Sequence, residues 1–177
     1  LRDVTMASLR SQLGIVPQEA FLFAGSVRDN IAFGRPDASI DDVIDAARSV
    51  GADEFIRELP DGYDTRIEER GARLSIGQRQ LIAFARALLA NPRLLILDEA
   101  TSSVDIPTEA RIERALEALL ERRTAVVVAH RLSTIRRADL IVVLEHGTVI
   151  EVGTHEQLIA EHGRYFSLYD DWVENVA

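Results

Sequence analysis

The sequence predicts an α/β fold: a largely parallel sheet flanked by helices, with a helical subdomain inserted over residues 20–90. Three observations predict it. Short apolar runs stand at Leu13–Val16, Leu94–Leu97, Ala125–Val128 and Leu140–Leu144, and continuous rather than alternating hydrophobicity marks strands covered on both faces. From residue 94 onward these runs alternate with helical patterns, the order in which crossover helices join parallel strands. Residues 20–90 carry helical periodicity and no strong strand after Val16.

The elements follow in chain order. Leu13–Val16 is a strand stopped by Pro17. Ser39 and Asp42 form a capping-box pattern ahead of Ile40, Val43, Ile44 and Ala47, whose spacing places them on one helical face, and Gly51 ends that helix. A second helix is predicted from about Ser75 to Ala90, with Leu81, Ile82, Ala85, Leu88 and Leu89 inward and Asn91-Pro92 as its stop. A third starts near Pro107, a residue favoured in a first turn, and turns Ile112, Leu116, Leu119 and Leu120 inward. A hairpin is expected between Leu140–Leu144 and Thr148–Val152 around Glu145-His146-Gly147, after which Thr154 and Gln157 cap another helix.

Composition excludes several function classes. The chain has 177 residues, 47% of them hydrophobic, enough for one globular domain with a core. Its 29 acidic and 20 basic side chains leave a net charge of −9, which argues against a nucleic-acid partner while leaving room for a local phosphate site. There is no cysteine, hence no disulfide, thiolate metal site or cysteine nucleophile. The apolar runs fall far short of the ~18 residues of a membrane span. Every basic residue is arginine, and the first residue is Leu1, so the sequence is expected to be part of a longer protein.

Two stretches carry chemistry. Asp98-Glu99 directly follows an apolar strand, and the carboxyl ends of strands are where open α/β sheets bind ligands. There the first acid can hold Mg²⁺ and the second can orient or deprotonate a water; alternatively both simply cap the turn into the next helix. Leu74-Ser75-Ile76-Gly77-Gln78 stands at a helix start, which offers unpaired N–H groups, a partial positive charge, a hydroxyl and a glycine that admits close approach, the elements of a phosphate site. An ordinary serine N-cap would look the same. His146, His155 and His162 have no ligand-like spacing and read as surface or turn residues, and Glu68-Glu69 as a solvated turn or an interface loop.

Taken together and in order, these stretches resemble the nucleotide-binding domain of ATP-binding cassette (ABC) transporters of the exporter type. Ser75 to Gln80, "SIGQRQ", is similar to the signature loop, and "LLILDE" at 94–99 to the Walker B strand. Val16-Pro17-Gln18-Glu19 is similar to the Q-loop, Ser102-Ser103-Val104-Asp105 to the D-loop, and Ala129-His130-Arg131 to the switch histidine. "GSVRDNIAFG" at 25–34 and "GTHEQLIAEHGRYFSLY" at 153–169 also resemble exporter sequence, so the likeness covers nearly the whole chain.

The resemblance implies a P-loop NTPase-like fold divided into residues 1–19 (the end of the catalytic core and the Q-loop), 20–90 (the helical subdomain with the signature loop) and 91–177 (the catalytic core with Walker B, D-loop, switch histidine and C-terminal helices). It implies ATP and Mg²⁺ as cofactors. Asp98 and Gln18 would serve the metal, Glu99 would act as general base, and His130 would contact the γ-phosphate and the attacking water. Gln18 would also link the metal site to the membrane domain. Ser75, Gly77 and Gln78 would bind the γ-phosphate of a nucleotide held by a second nucleotide-binding domain, and Asp105 would organise that dimer. The partners are this second domain and a transmembrane domain of the same or another chain, at the cytoplasmic face of the cell membrane.

The sequence departs from the family pattern in three places. Ile76 and Glu68 stand where glycine is usual, and Ile76 requires that its side chain point away from phosphate. No G-x-x-x-x-G-K-S/T loop occurs, and without lysine none can be hidden. The phosphate cradle, the strands before it and any adenine-stacking aromatic are therefore expected upstream of Leu1, and the stretch alone is expected to be close to inactive. Two rival readings share some of the motifs: a soluble cassette ATPase acting on DNA or ribosomes, against which the exporter-like stretches and the charge count, and a non-catalytic partner module, against which intact Asp98, Glu99 and His130 count.

Overall fold

The computed structural model describes residues 3–68, 73–98, 106–121, 123–129 and 131–176. Glu99, Asp105 and His130 lie outside the described residues. The chain forms two compact units, Leu1–Val128 and Ala129–Ala177.

The first unit holds a parallel three-stranded sheet in the order β1 (Leu13–Val16), β4 (Leu94–Asp98), β5 (Thr124–Val128). Leu13 pairs with Leu94 and Val16 with Leu97, while Asp98 pairs with Val128. The carboxyl ends of all three strands thus share one edge. A short helix α1 (Met6–Arg10), capped by the Thr5 hydroxyl, precedes β1. Between β1 and β4 run β2 (Gly25–Ser26), α2 (Val27–Ala32), α3 (Ile40–Ser49), α4 (Asp53–Glu58), β3 (Arg66–Ile67) and α5 (Ile76–Ala90), and α6 (Ile106–Leu120) joins β4 to β5. The described residues between β1 and β4 are thus mostly helical, and β2 and β3 form a two-residue antiparallel pair among them.

Local chemistry sets the helix limits. Ser26 with Asp29, Ser39 with Asp42 and Ser75 with Gln78 close reciprocal capping boxes on α2, α3 and α5, each satisfying two backbone donors that a helix start leaves orphaned. Asn91 ends α5 in the left-handed conformation at φ 45°, its N–H donating to the Leu88 carbonyl, and Pro92 cannot continue the helix. The main core is built from Val27, Ile31, Val43, Ala47 and Ile56 of the helical region, Leu81, Ile82 and Ala85 of α5, Leu95 and Leu97 of β4, and Ile112 and Leu119 of α6.

The expectation that the strands are covered on both faces is corrected by their exposure. β5 alternates exposed and half-buried residues, β4 alternates half-buried and buried ones before the exposed Asp98, and Ile15, Val126 and Val128 are 67, 54 and 52% exposed. The reason is topological. Both connections advance in the same direction along the sheet, from β1 to β4 to β5, and right-handed crossovers that advance one way place their helices on one face. The uninterrupted apolar runs therefore include side chains that the described helices leave exposed, such as Ile15, Val126 and Val128.

In the second unit, α7 (Leu132–Arg136) precedes an antiparallel hairpin of β6 (Ile141–Glu145) and β7 (Thr148–Gly153), followed by α8 (His155–Ala160) and α9 (Arg164–Val176). The turn is His146-Gly147, with φ of 51° and 77°, the two positive values a tight hairpin with twisted strands requires. Thr154 and Gln157 close the capping box of α8 as predicted. Val143, Leu158 and Tyr165 form this unit's small core. The Glu151 carboxylate accepts from the Arg164 and Tyr165 amides and so satisfies the start of α9. His155 is joined through Nδ1 to the Tyr165 hydroxyl at 2.7 Å, and His162 occupies a left-handed turn at φ 52°.

Candidate functional site

The site is built on the shared strand edge. Asp98 is the last residue of β4 and is solvent-exposed. Gln18, also exposed, follows β1 by two residues, after Pro17 has stopped the strand. Because β1 and β4 are neighbours in register through Val16 and Leu97, the two polar side chains leave the sheet from adjacent strands. Glu99 succeeds Asp98 in sequence, and His130 comes two residues after Val128 of β5.

The second part of the site is the start of α5. The Ser75 hydroxyl accepts from the Gln78 amide at 3.1 Å, and Gln78 Oε1 accepts from the Ser75 amide at 2.9 Å. The simple N-cap is thus real, and it is compatible with anion binding because the Ser75 hydroxyl hydrogen and the Gln78 side-chain NH₂ are not consumed by the box. No acidic residue lies in the first turn of α5, unlike α2, α3 and α8, so the positive end of the helix dipole stays uncompensated. Arg79 donates to the Leu74 carbonyl at 2.6 Å and adds positive charge to the same turn. Ile76 sits at the first helical position with its side chain 51% exposed.

Gly77 has a structural requirement that its spacing did not disclose. It is buried, and a Cβ added there would stand 2.2 Å from Thr108 Cγ2 of α6. Close approach of two helices, independent of any ligand, already demands glycine at this position. Glu68 is exposed and pairs with Arg73 at 3.3 Å.

Two further polar residues of α5 were not singled out by sequence reasoning. Arg86 donates to the Asn30 carbonyl at 2.8 Å, to Asn30 Oδ1 at 2.9 Å and to the Phe21 carbonyl at 3.0 Å, and its guanidinium lies 5.2 and 5.8 Å from the Phe23 and Phe33 ring centres. Burial pulls its pKa below the ordinary value. The Phe23 and Phe33 rings stack at 4.2 Å and are exposed, so Arg86 anchors an aromatic patch that follows Gln18 in the chain. Gln80 is buried beside Asp98. The signal was available in both cases: each is a polar residue within the otherwise apolar stretch of a helix that packs in the core.

Asp98 at the end of β4 and Gln18 two residues beyond the neighbouring β1 share the strand edge at which α/β domains bind ligands, and the start of α5 carries no acidic residue in its first turn. The family model described as ABC transporter matches residues 1–102, and the chain belongs to that family. Over 168 residues it is 58% identical to the ABC transporter ATP-binding protein YknV of Bacillus subtilis, covering 95% of this chain and 28% of that protein. It is 53% identical to an ATP-dependent lipid A-core flippase of Syntrophus aciditrophicus, covering 96% of this chain and 28% of the flippase. Among solved structures, a bacterial Atm1-family ABC exporter with ATP bound superposes with a TM-score of 0.85 at 44% identity, over 98% of this chain and 30% of the exporter chain. The chain therefore spans about three tenths of the length of these relatives. Among the described residues no helix is long and apolar enough to cross a membrane.

Proposed function

We propose that this chain is part of the ATP-hydrolysing engine of a membrane exporter, with residues 1–19 and 91–177 in the catalytic core and 20–90 as its helical subdomain. The observation that carries the reading is the placement of Asp98 at the end of β4, next to the strand that leads to Gln18. These two groups fit Mg²⁺ by donor chemistry: one carboxylate and one amide oxygen, both hard donors open to solvent, leave the remaining positions to phosphate oxygens and water. Mg²⁺, when bound, would neutralise charge on the phosphates.

The chain's own residues take distinct roles in the cleavage of ATP by water to ADP and phosphate. Glu99 orients the attacking water and accepts its proton, a contribution of roughly 10²–10⁴ in rate for a general base. His130 donates a hydrogen bond to the γ-phosphate and holds the same water. Ser75, the amide near Gly77 and Gln78 supply donors to the γ-phosphate of a nucleotide bound by a second nucleotide-binding domain, for which the uncompensated start of α5 is suited. Asp105 orders the contact between the two domains. The names of the relatives, an exporter and a flippase, support a transmembrane partner and a position at the cytoplasmic face of the membrane.

The test uses the protein expressed from its complete gene. Glu99→Gln should retain Mg²⁺-dependent ATP binding and lose turnover by about 10²-fold or more, whereas Asp98→Asn should weaken the Mg²⁺-dependent binding itself. Equal losses of nucleotide affinity in the two variants would show the roles to be misassigned.

A further inference from the structure

Gln80 sits on the buried side of α5, one turn after Gly77, and is 5% exposed. Its neighbours are apolar: Val16, Phe84, Leu97 and Ile112 line the same small space. The side-chain amide makes no hydrogen bond with the described residues, although a glutamine amide carries two donors and a two-lone-pair acceptor. The amide atoms retain some solvent access, Arg123 Nε being the side-chain atom that is fully buried without a partner among the described residues. One other polar residue borders this space, and it is Asp98.

The cavity has a volume of about 10 Å³. That is close to the ~10–15 Å³ needed to seat one water, and a seated water needs two to four polar partners. Gln80 and the Asp98 carboxylate are the side chains that can provide them.

We propose that Gln80 is a positioning residue for Asp98: through one water in this cavity its amide fixes the orientation of the carboxylate at the end of β4. The proposal rests on the function read above, in which Asp98 serves the metal. It also gives α5 a second task. The helix whose first turn presents Ser75 and Gln78 reaches, five residues beyond Ser75, the carboxylate of its own chain, so a displacement of the signature turn is transmitted to the metal-holding group. Partners of a ligating carboxylate commonly change metal affinity by about 10–100-fold when removed.

The experiment compares the full-length protein with Gln80→Met, which keeps the volume and removes the amide, and Gln80→Asn, which keeps the amide but withdraws it by one methylene. The readouts are ATP affinity without metal and the Mg²⁺ concentration at half-maximal ATP binding. Gln80→Met should leave metal-free ATP affinity unchanged and raise the Mg²⁺ requirement at least tenfold. Gln80→Asn should raise the Mg²⁺ requirement as well. An unchanged Mg²⁺ requirement in both variants would overturn the proposal, as would a metal-free ATP affinity that falls as much as the Mg²⁺ requirement rises, because the amide would then support the fold and not the carboxylate. Unmodified protein that binds ATP without any response to Mg²⁺ would overturn the functional reading itself, and this inference with it.

Discussion

Substituting Gly77 by alanine tests whether that glycine serves helix packing. The added Cβ would stand 2.2 Å from Thr108 Cγ2 and 3.8 Å from Ile112 Cδ1, whereas carbon atoms rest about 3.5–4.0 Å apart. The first contact is therefore more than an ångström too close, and threonine, branched at Cβ on a helix, has few rotamers in which to yield. Overpacking of this kind costs about 1–3 kcal/mol, against a gain of up to ~1 kcal/mol from replacing glycine in a helix. Gly77→Ala should therefore destabilise the α5–α6 contact by ~0–2 kcal/mol. Thr108→Ser removes the offending methyl and keeps the hydroxyl, so in that background Gly77→Ala should become neutral or stabilising. The coupling between the two substitutions should be about 1–3 kcal/mol. Native-state hydrogen exchange of the α5 amides in the full-length protein reads the local opening free energy, each ~1.4 kcal/mol being tenfold in protection. Additive effects, or a Gly77→Ala that raises protection with Thr108 intact, would refute the packing account.

Arg86→Met should remove donors from the Asn30 and Phe21 carbonyls and lower local stability by about 2–4 kcal/mol, with increased exchange in α2. Arg86→Lys should recover only part of this, since one ammonium cannot span three acceptors as a planar guanidinium does. Asp53 supplies an acid limb: burial pushes its carboxyl up, but the Tyr63 hydroxyl at 2.7 Å and the Arg57 guanidinium pull it down further, to below 3.8. The folded state therefore holds fewer protons than the unfolded one, so this stabilisation is complete above the unfolded value and is lost as pH falls through the folded one. Asp53→Asn should flatten unfolding against pH below about pH 4, and an unchanged acid limb would refute the assignment. Tyr63 is shifted the opposite way, raised above 10.0 by burial and then by its bond to Asp53. Its contribution is complete below the unfolded value and fades as pH rises through the folded one, so Tyr63→Phe should remove a loss of stability in strong alkali.

The sequence by itself determined what is settled within one turn of chain. Ser39 with Asp42, Ser75 with Gln78 and Thr154 with Gln157 close their capping boxes across three residues, and Asn91-Pro92 and His146-Gly147 end a helix and turn a hairpin by their own backbone preferences. Asp98 was legible as a strand-end carboxylate because the apolar run before it is contiguous. Glu99, Asp105 and His130 are legible only as sequence, being outside the described residues. Tertiary structure alone decided the rest: that β4 lies between β1 and β5, that Ile15, Val126 and Val128 are exposed, that Gly77 yields to Thr108, that Arg86 reaches back to Asn30, and that Gln80 borders the cavity of Asp98. A cap or turn is an interaction between neighbours and is written in their order. Burial and close contact depend on which distant segment arrives at a surface, and no local pattern of side chains carries that information.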